Sequence, residues 1–259
     1  MLIFSLPSTI CWVKTMLAFR SVLFYVGMTF GLILLMPFMV LAFPFAYPVR
    51  YRVLTRWGRF NVWWLRVTCG VSYRVEGREN IPAGPALILA KHQSAWETFA
   101  FQAIFPPQTW VLKRSLLWIP IFGWGLALLH SIAIDRSAGR QALQQVIEQG
   151  TARLKKGIWV VIFPEGTRTA PGTQGKYNIG GPMLAEKSGF PVVPVAHNAG
   201  EFWPRNSFIK RPGEITVVIG PVLDPTGKKA SMISREVEAW IEGTMDRITG
   251  VPRSTPPAA

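Results

Sequence analysis

The feature that most limits the possible folds is a run of 29 residues, Ser21 to Val49, that contains no charged side chain. A continuous helix of this length would be about 43 Å long, which exceeds the ~30 Å hydrocarbon core of a bilayer. Gly31, Pro37 and Pro44 interrupt the run, and a proline inside a helix bends or ends it. The run therefore predicts a membrane anchor over residues 16–49, built either as one tilted, kinked span or as two short helices that enter one leaflet and return.

Basic residues flank the uncharged run on both sides. Lys14 and Arg20 precede it, and five arginines follow it within a predicted basic amphipathic linker, residues 50–68. Because positive flanks tend to stay on the cytoplasmic side of a membrane, this arrangement favours the re-entrant pair of helices over a single span. Residues 1–15 are then an accessory N-terminal extension, since Met16 would begin an ordinary N-terminus.

The composition indicates a membrane surface as a partner and is not typical of a nucleic-acid binder. The formal net charge is +14, yet 16% of the residues are charged and 49% are hydrophobic. The basic side chains are spread among tryptophans, phenylalanines and leucines, which suits attraction to anionic lipid headgroups. The two cysteines, Cys11 and Cys69, suggest no disulfide framework, and no Cys/His spacing predicts a metal site.

Residues 69–249 have the pattern of one α/β domain. Apolar segments of strand length alternate with amphipathic helical segments, so we predict a largely parallel sheet covered by helices on both faces. The predicted strands are residues 71–77, 85–90, 158–164, 190–197 and 214–220, and the predicted helices are residues 141–157 and 234–248. Residues 250–259 are predicted to form a flexible tail.

A histidine and a glutamate follow the strand predicted at residues 85–90. His92 and Glu97 are five positions apart, and an uninterrupted helix would splay them because five residues turn through about 500°. Ser94 and Glu97 also match the capping box S-x-x-E, in which the glutamate binds backbone N–H groups at a helix start. If the strand-to-helix junction folds back, the same carboxylate can orient His92 as a general base. The two interpretations are compatible, and both remain open.

A second polar stretch follows the strand predicted at residues 158–164. Glu165, Gly166, Thr167 and Arg168 form a turn there. Such a turn can aim backbone N–H groups at an anion, and an arginine fork matches phosphate oxygens. Taken alone, the same residues could also be an exposed turn without a function.

Together the two stretches resemble the motifs of the glycerolipid acyltransferase family. The first family motif, H-x4-D, is matched by His92 and Glu97, with glutamate in place of the usual aspartate. The third motif, F-P-E-G-T-R, is complete from Phe163 to Arg168. The resemblance covers about residues 65–225 and is closest to the bacterial 1-acylglycerol-3-phosphate acyltransferases of that family.

Weaker matches support the same family. Residues 113–136 resemble its second motif and begin with Lys113, although the glycine often found before the "IDR" strand is absent. The segment containing Lys176 and Gly180 resembles a lysine–glycine element, and "VVPVAH" around Pro194 resembles the fourth motif.

The resemblance implies a reaction and a set of roles. It implies transfer of a fatty acyl group from an acyl carrier protein or coenzyme A thioester to the sn-2 hydroxyl of lysophosphatidic acid, with no metal or other cofactor. His92 would be the base and Glu97 its orienting carboxylate. The implied substrate-binding residues are Lys113, Glu165, Gly166, Thr167, Arg168 and Lys176. The implied location is the cytoplasmic face of the bacterial inner membrane, held there by the anchor.

Three alternatives remain at this point. The same transfer could use another lysolipid, such as a lyso-ornithine lipid. The base could instead activate water, which would make the protein a membrane-bound thioesterase. In a non-enzymatic lipid-binding module, Glu97 would only cap a helix and replacing His92 would leave function untouched.

Overall fold

The computed structural model describes residues 6–252, apart from the side chains of residues 6–11 and of Arg136. The first five residues of the predicted N-terminal extension and the last seven of the predicted tail lie outside the described residues.

The N-terminal region consists of two long helices. Helix α1 spans Leu6–Ala42 without a break, and helix α2 spans Tyr47–Cys69. The prediction of two short helices inside residues 16–49 is therefore wrong, because one helix continues through Gly31 and Pro37. The predicted linker, residues 50–68, is instead the second helix of a hairpin, and the predicted extension from residue 6 onward belongs to α1. By length and composition, Trp12–Ala42 could cross a membrane.

Helices α1 and α2 run antiparallel and pack closely. The indole Nε1 of Trp57 donates to the carbonyl oxygen of Met28 at 3.0 Å, and that of Trp64 donates to Leu23 at 3.2 Å. Gly27 permits this approach, because a Cβ there would lie 2.1 Å from Nε1 of Trp64. Most large apolar side chains on the opposite side of α1 are exposed, which is unusual for a surface in contact with water.

A seven-stranded sheet forms the centre of the domain. Its strands are β1 (Val71–Glu76), β2 (Leu87–Ala90), β3 (Gln108–Lys113), β4 (Ile132–Ile134), β5 (Trp159–Ile162), β6 (Val192–His197) and β7 (Gly213–Ile219). Their spatial order is β1-β7-β6-β2-β5-β3-β4, and every neighbouring pair is parallel except β6 with β7. The predicted largely parallel sheet is thus confirmed.

Helices cover both faces of the sheet. They are α3 (Trp96–Ile104), α4 (Phe122–Leu128), α5 (Arg140–Lys155), α6 (Gly180–Ser188), α7 (Ala199–Phe202) and α8 (Ala230–Ile248). The central strand β2 is buried on both sides: Ile88 and Ala90 join the core shared with α1, α2 and α3, whereas Leu87 and Leu89 join the core beneath α5, α6 and α8. This double burial explains why β2 reads as a continuous apolar run.

Candidate active site

The polar stretches after β2 and β5 meet at one edge of the sheet. Strands β2 and β5 are parallel neighbours, and β3 lies on the other side of β5. Because the carboxyl ends of parallel strands share an edge, His92, the Phe163–Arg168 turn and Lys113 all emerge there. Residues that are far apart in the sequence are therefore neighbours in space.

His92 and Glu97 form a direct pair. The Nδ1 atom of His92 lies 2.7 Å from Oε1 of Glu97, whose side chain is fully buried. The same oxygen accepts hydrogen bonds from the backbone N–H groups of Gln93 at 3.1 Å and Ser94 at 2.9 Å. One carboxylate therefore caps the start of α3 and holds the imidazole. The sequence allowed both of these interpretations of Glu97, and they occur together.

The surroundings of Glu97 keep it ionised. Burial alone would raise the pKa of this carboxyl group, but its pKa is lowered overall because the hydrogen bonds from His92 and from the Ser94 N–H favour the anion. A carboxylate that accepts a hydrogen bond from Nδ1 fixes the proton on that nitrogen. The lone pair of the neutral imidazole is then on Nε2. His92 is thus arranged to accept a proton at Nε2.

The turn after β5 holds His92 from several sides. The ring of Phe163 stacks on the imidazole with centroids 4.0 Å apart. Oε2 of Glu165 accepts a hydrogen bond from the backbone N–H of His92 at 2.9 Å, and the backbone N–H of Thr169 donates to the carbonyl oxygen of His92 at 2.8 Å. Gly166 makes the tight turn possible with a φ of 67°.

A buried charge cluster lies behind the histidine. The Nζ atom of Lys91 contacts Oε1 of Glu165 at 2.8 Å and Oε1 of Glu242 at 2.9 Å, and its side chain is 1% exposed. Tyr177 donates its hydroxyl to Glu242 at 2.9 Å, and the carbonyl oxygen of Thr173 accepts from Lys91 at 3.1 Å. Charges this deeply buried are stable only when paired and hydrogen-bonded, so the cluster fixes the position of Glu165 and, through it, of His92.

The buried histidine His197 is bound on both ring nitrogens. Its Nε2 lies 2.8 Å from the carbonyl oxygen of Lys91, and its Nδ1 accepts from the N–H of Ala199 at 3.3 Å. Burial lowers its pKa. These contacts agree with the neutral ring of a structural residue.

An apolar cavity of about 260 Å³ ends at His92. Its walls come from α1, α2, α3, β3, α4 and the segment before α4. Among its lining residues, Lys113 and Arg168 are the cations, and like His92 they follow the carboxyl ends of neighbouring parallel strands. The cavity can therefore hold a hydrocarbon chain with its reactive end near a base and two positive charges.

The predicted substrate-binding residues separate into two groups. Lys113 and Arg168 line the cavity, whereas Lys176, Gly166 and Thr167 do not. Glu165, for which the resemblance implied contact with the acceptor, is buried with both oxygens bound by Lys91, His92 and Gly175. It therefore holds His92 from behind instead of facing the cavity.

Sequence reasoning missed Lys91 and Glu242. A signal for Lys91 exists, because a lysine at the end of a fully apolar strand and directly before His92 requires a buried partner. Glu242 follows Ile241 on the inward face of α8, among Ile233, Val237 and Met245. The sequence does not pair these two residues, which are 151 positions apart.

Known proteins resemble this chain over most of its length. The family model described as Acyltransferase matches residues 72–198. A 1-acyl-sn-glycerol-3-phosphate acyltransferase of Pseudomonas aeruginosa is 46% identical over 92% of this chain and 95% of its own length. The chain belongs to the acyltransferase family. The resemblance to this family and the assignment as an enzyme are thereby confirmed.

More distant proteins extend the comparison. A 1-acyl-sn-glycerol-3-phosphate acyltransferase of Saccharomyces cerevisiae is 35% identical over 51% of this chain and 44% of its own length. The crystal structure of the 1-acyl-sn-glycerophosphate (LPA) acyltransferase PlsC from Thermotoga maritima superposes with a TM-score of 0.75, at 23% identity, over 90% of this chain and 97% of that one. At this identity the superposition establishes the fold, including the mostly parallel sheet.

Proposed function

We propose that this acyltransferase moves a fatty acyl group from an acyl thioester to the sn-2 hydroxyl of 1-acyl-sn-glycerol-3-phosphate, giving phosphatidic acid. The observation that carries the proposal is the His92–Glu97 pair at the polar end of an apolar cavity that also presents Lys113 and Arg168. The names of the relatives described above support the same acceptor.

The apolar cavity is the site for the chain being transferred. Its lining is mostly aliphatic and aromatic and includes His92. Burying methylene groups there stabilises a long chain by about 0.8 kcal/mol per group. The thioester carbonyl then lies beside His92, and the thiol part of acyl carrier protein or coenzyme A remains outside.

The chemical step follows from the geometry of His92. Nε2 accepts the proton of the acceptor hydroxyl as that oxygen attacks the thioester carbonyl carbon. Glu97 stabilises the imidazolium that forms, because its carboxylate is 2.7 Å from Nδ1. The carbon–sulfur bond then breaks, and the imidazolium returns the proton to the departing thiolate. All atoms of the step come from the two substrates and His92.

Arg168 and Lys113 bind the phosphate of the acceptor. An arginine fork can bind two phosphate oxygens at once, and a lysine adds a second positive charge. The backbone oxygen of Arg168 accepts from Nη1 of Arg205 at 3.0 Å, which fixes the turn that carries it. Lys176 is exposed outside the cavity, so its part in binding would be limited to attracting the anionic acceptor.

The helical hairpin supports a reaction at a membrane surface. Exposed apolar side chains cover much of α1, while α2 carries four arginines between residues 52 and 66. A helix with this many charges does not lie in the hydrocarbon core, and α1 packs along it. This arrangement supports an anchor held in one leaflet of the inner membrane, with the catalytic domain on its cytoplasmic face.

The test is acyl transfer in detergent. Wild type should form phosphatidic acid from lysophosphatidic acid and either palmitoyl–acyl carrier protein or palmitoyl–coenzyme A, and the ratio of the two rates identifies the preferred donor. His92→Ala should lose at least about 10³-fold in kcat, because it lacks the base. His130→Asn is the matched control, since His130 is outside the cavity and asparagine tolerates its positive φ of 55°.

Three outcomes would contradict the proposal. Equal turnover by His92→Ala and wild type would remove His92 as the base. Fatty acid released at the same rate with and without lysolipid would indicate a thioesterase. Equal rates on a phosphate-free lysolipid would exclude the phosphate-binding role of Arg168 and Lys113.

A further inference from the structure

A second apolar groove lies beside the cavity. Its outer walls are α1 on one side and the segment 203–208 on the other, and its volume is about 630 Å³. The groove and the cavity share Leu32, Trp57, Phe99, Phe122 and Arg168. The four apolar residues therefore form a partition, and Arg168 belongs to both compartments.

The two compartments differ in their relation to the base. His92 lines the cavity but not the groove. The groove contains Tyr25, Met28 and Thr29 of α1, and the neighbouring α1 residues Val26 and Phe30 are each 59% exposed. The groove is thus continuous with the exposed apolar surface of the helix.

A buried lysine fixes the far wall of the groove. The Nζ atom of Lys210 donates to the hydroxyl of Tyr25 at 2.6 Å and to the carbonyl oxygen of Phe208 at 2.8 Å. It also lies 3.9 Å from the ring centroid of Tyr25 and 4.7 Å from that of Trp203. These contacts join the segment 203–208 to α1 and hold the two outer walls of the groove together.

We propose that this groove binds the acyl chain that the lysolipid acceptor already carries, while the cavity binds the chain being transferred. The assignment rests on the proposed function, because that reaction brings two chains together at one base. The reacting hydroxyl of the acceptor lies between its chain-bearing and phosphate-bearing carbons. An acceptor with its phosphate on Arg168 can therefore direct its chain into the groove and its hydroxyl towards His92.

The origin of each acyl chain indicates which compartment binds it. The acceptor is a membrane lipid, so its chain can enter the groove along the apolar face of α1 without crossing water. The donor chain arrives on a water-soluble carrier and has to be enclosed next to the base, as the cavity provides. The reverse assignment would place the donor carbonyl in the compartment that lacks His92.

The test fills each compartment separately. Thr29→Trp fills the groove, because Thr29 is exposed on α1 and does not line the cavity. Gly125→Leu fills the cavity, because a Cβ at Gly125 makes ordinary contacts at 3.4 Å with Met39 and 3.6 Å with Leu54. For each variant, kcat/KM is measured with 1-oleoyl and 1-hexanoyl lysophosphatidic acid, and separately with palmitoyl and octanoyl donors.

We expect each variant to change the chain-length preference for one substrate and to leave the preference for the other substrate unchanged. Thr29→Trp should lower the oleoyl-to-hexanoyl acceptor ratio by about tenfold, the effect of displacing roughly two buried methylene groups, and leave the donor ratio unchanged. Gly125→Leu should lower the palmitoyl-to-octanoyl donor ratio and leave the acceptor ratio unchanged. Leu34→Trp adds the same side chain at a position of α1 that lines neither compartment, so it should change neither ratio.

The failures are distinguishable. A wild type active on lysophosphatidic acid, combined with an unchanged acceptor ratio in Thr29→Trp, overturns the groove assignment alone. A changed donor ratio in Thr29→Trp would mean that the groove binds the donor chain, which also overturns the assignment. A wild type that acylates none of the lysophosphatidic acids overturns the proposed function together with the groove.

Discussion

Replacing Glu97 by glutamine separates its two roles, capping α3 and orienting His92. Glutamine has the same shape as glutamate but carries no charge. In the protein, Oε1 of Glu97 accepts from Nδ1 of His92, from Gln93 N–H and from Ser94 N–H. Two backbone donors therefore oppose rotation of the amide, because rotation would bring its NH2 group against them. We expect the amide oxygen to keep facing Nδ1 and the histidine tautomer to be retained.

The expected fall in kcat follows from the interaction between His92 and residue 97 that remains in the variant. With charge centres about 4 Å apart at an effective dielectric constant of ~20, imidazolium and carboxylate attract by roughly 4 kcal/mol. A neutral hydrogen bond of about 1–1.5 kcal/mol survives in the variant. The net loss of about 2.5–3 kcal/mol in stabilising the imidazolium corresponds to a fall in kcat of about 10²-fold. Inversion of the tautomer would instead cost about 10⁴-fold.

The assay is single-turnover acyl transfer at saturating lysophosphatidic acid, with the melting temperature measured in the same detergent. Among the described residues, Oε2 of Glu97 has no hydrogen-bond partner, so placing an NH2 group there should cost little stability. Near-normal kcat would refute the reasoning, because capping alone would then explain Glu97. A 10⁴-fold loss would show that Gln93 and Ser94 do not hold the amide oxygen in place.

Three further predictions concern buried and cationic residues. Lys91→Met leaves the carboxylates of Glu165 and Glu242 buried without their shared cation, so the free energy of unfolding measured in denaturant should fall by about 3–5 kcal/mol; a loss below 1 kcal/mol would contradict this. Arg168→Lys keeps the charge but loses the two-pronged contact, so steady-state kinetics should show KM for lysophosphatidic acid raised about tenfold with kcat little changed. Burial lowers the pKa of Lys210 to about 8, whereas an unfolded lysine titrates near ~10.4. Between these values the unfolded chain binds more protons, so the melting temperature of wild type should rise relative to Lys210→Met from pH 8 to pH 10, and a falling difference would contradict this.

The fold could be predicted where burial leaves a local pattern. Strands β2, β5 and β6 are apolar on both faces and were found from the sequence, as were α5 and most of α8. Strand β3 was missed because it begins with the buried polar residues Gln108 and Thr109, and β4 because it has three residues. Helix α1 continues through the exposed Pro37, and Leu35 and Met39 on either side of it pack against the domain core. Tertiary contacts there outweigh one lost hydrogen bond.

The site could be predicted in its residue types but not in the directions of its side chains. The order of motifs indicated that His92, Glu97 and the Phe163–Arg168 turn act together, and the parallel pairing of β2 and β5 brings them to one edge. Whether Glu165 faces the substrate or the interior depends on Lys91 and on Glu242 of α8, which is distant in sequence. A sequence motif shows which residues occur together, but it does not show whether a side chain such as that of Glu165 faces the substrate or the protein interior.

On the proposed function, the helical hairpin is part of the binding site as well as an anchor. Leu32 of α1 and Trp57 of α2 line both the cavity and the groove, and the indole of Trp57 is fixed by its hydrogen bond to Met28. An enzyme that joins a membrane lipid to a chain from a soluble carrier has to keep both chains out of water during the step. Placing both compartments where the hairpin meets the α/β domain would satisfy this condition, because each compartment has one wall from the helices α1 and α2 and one from the domain that carries His92.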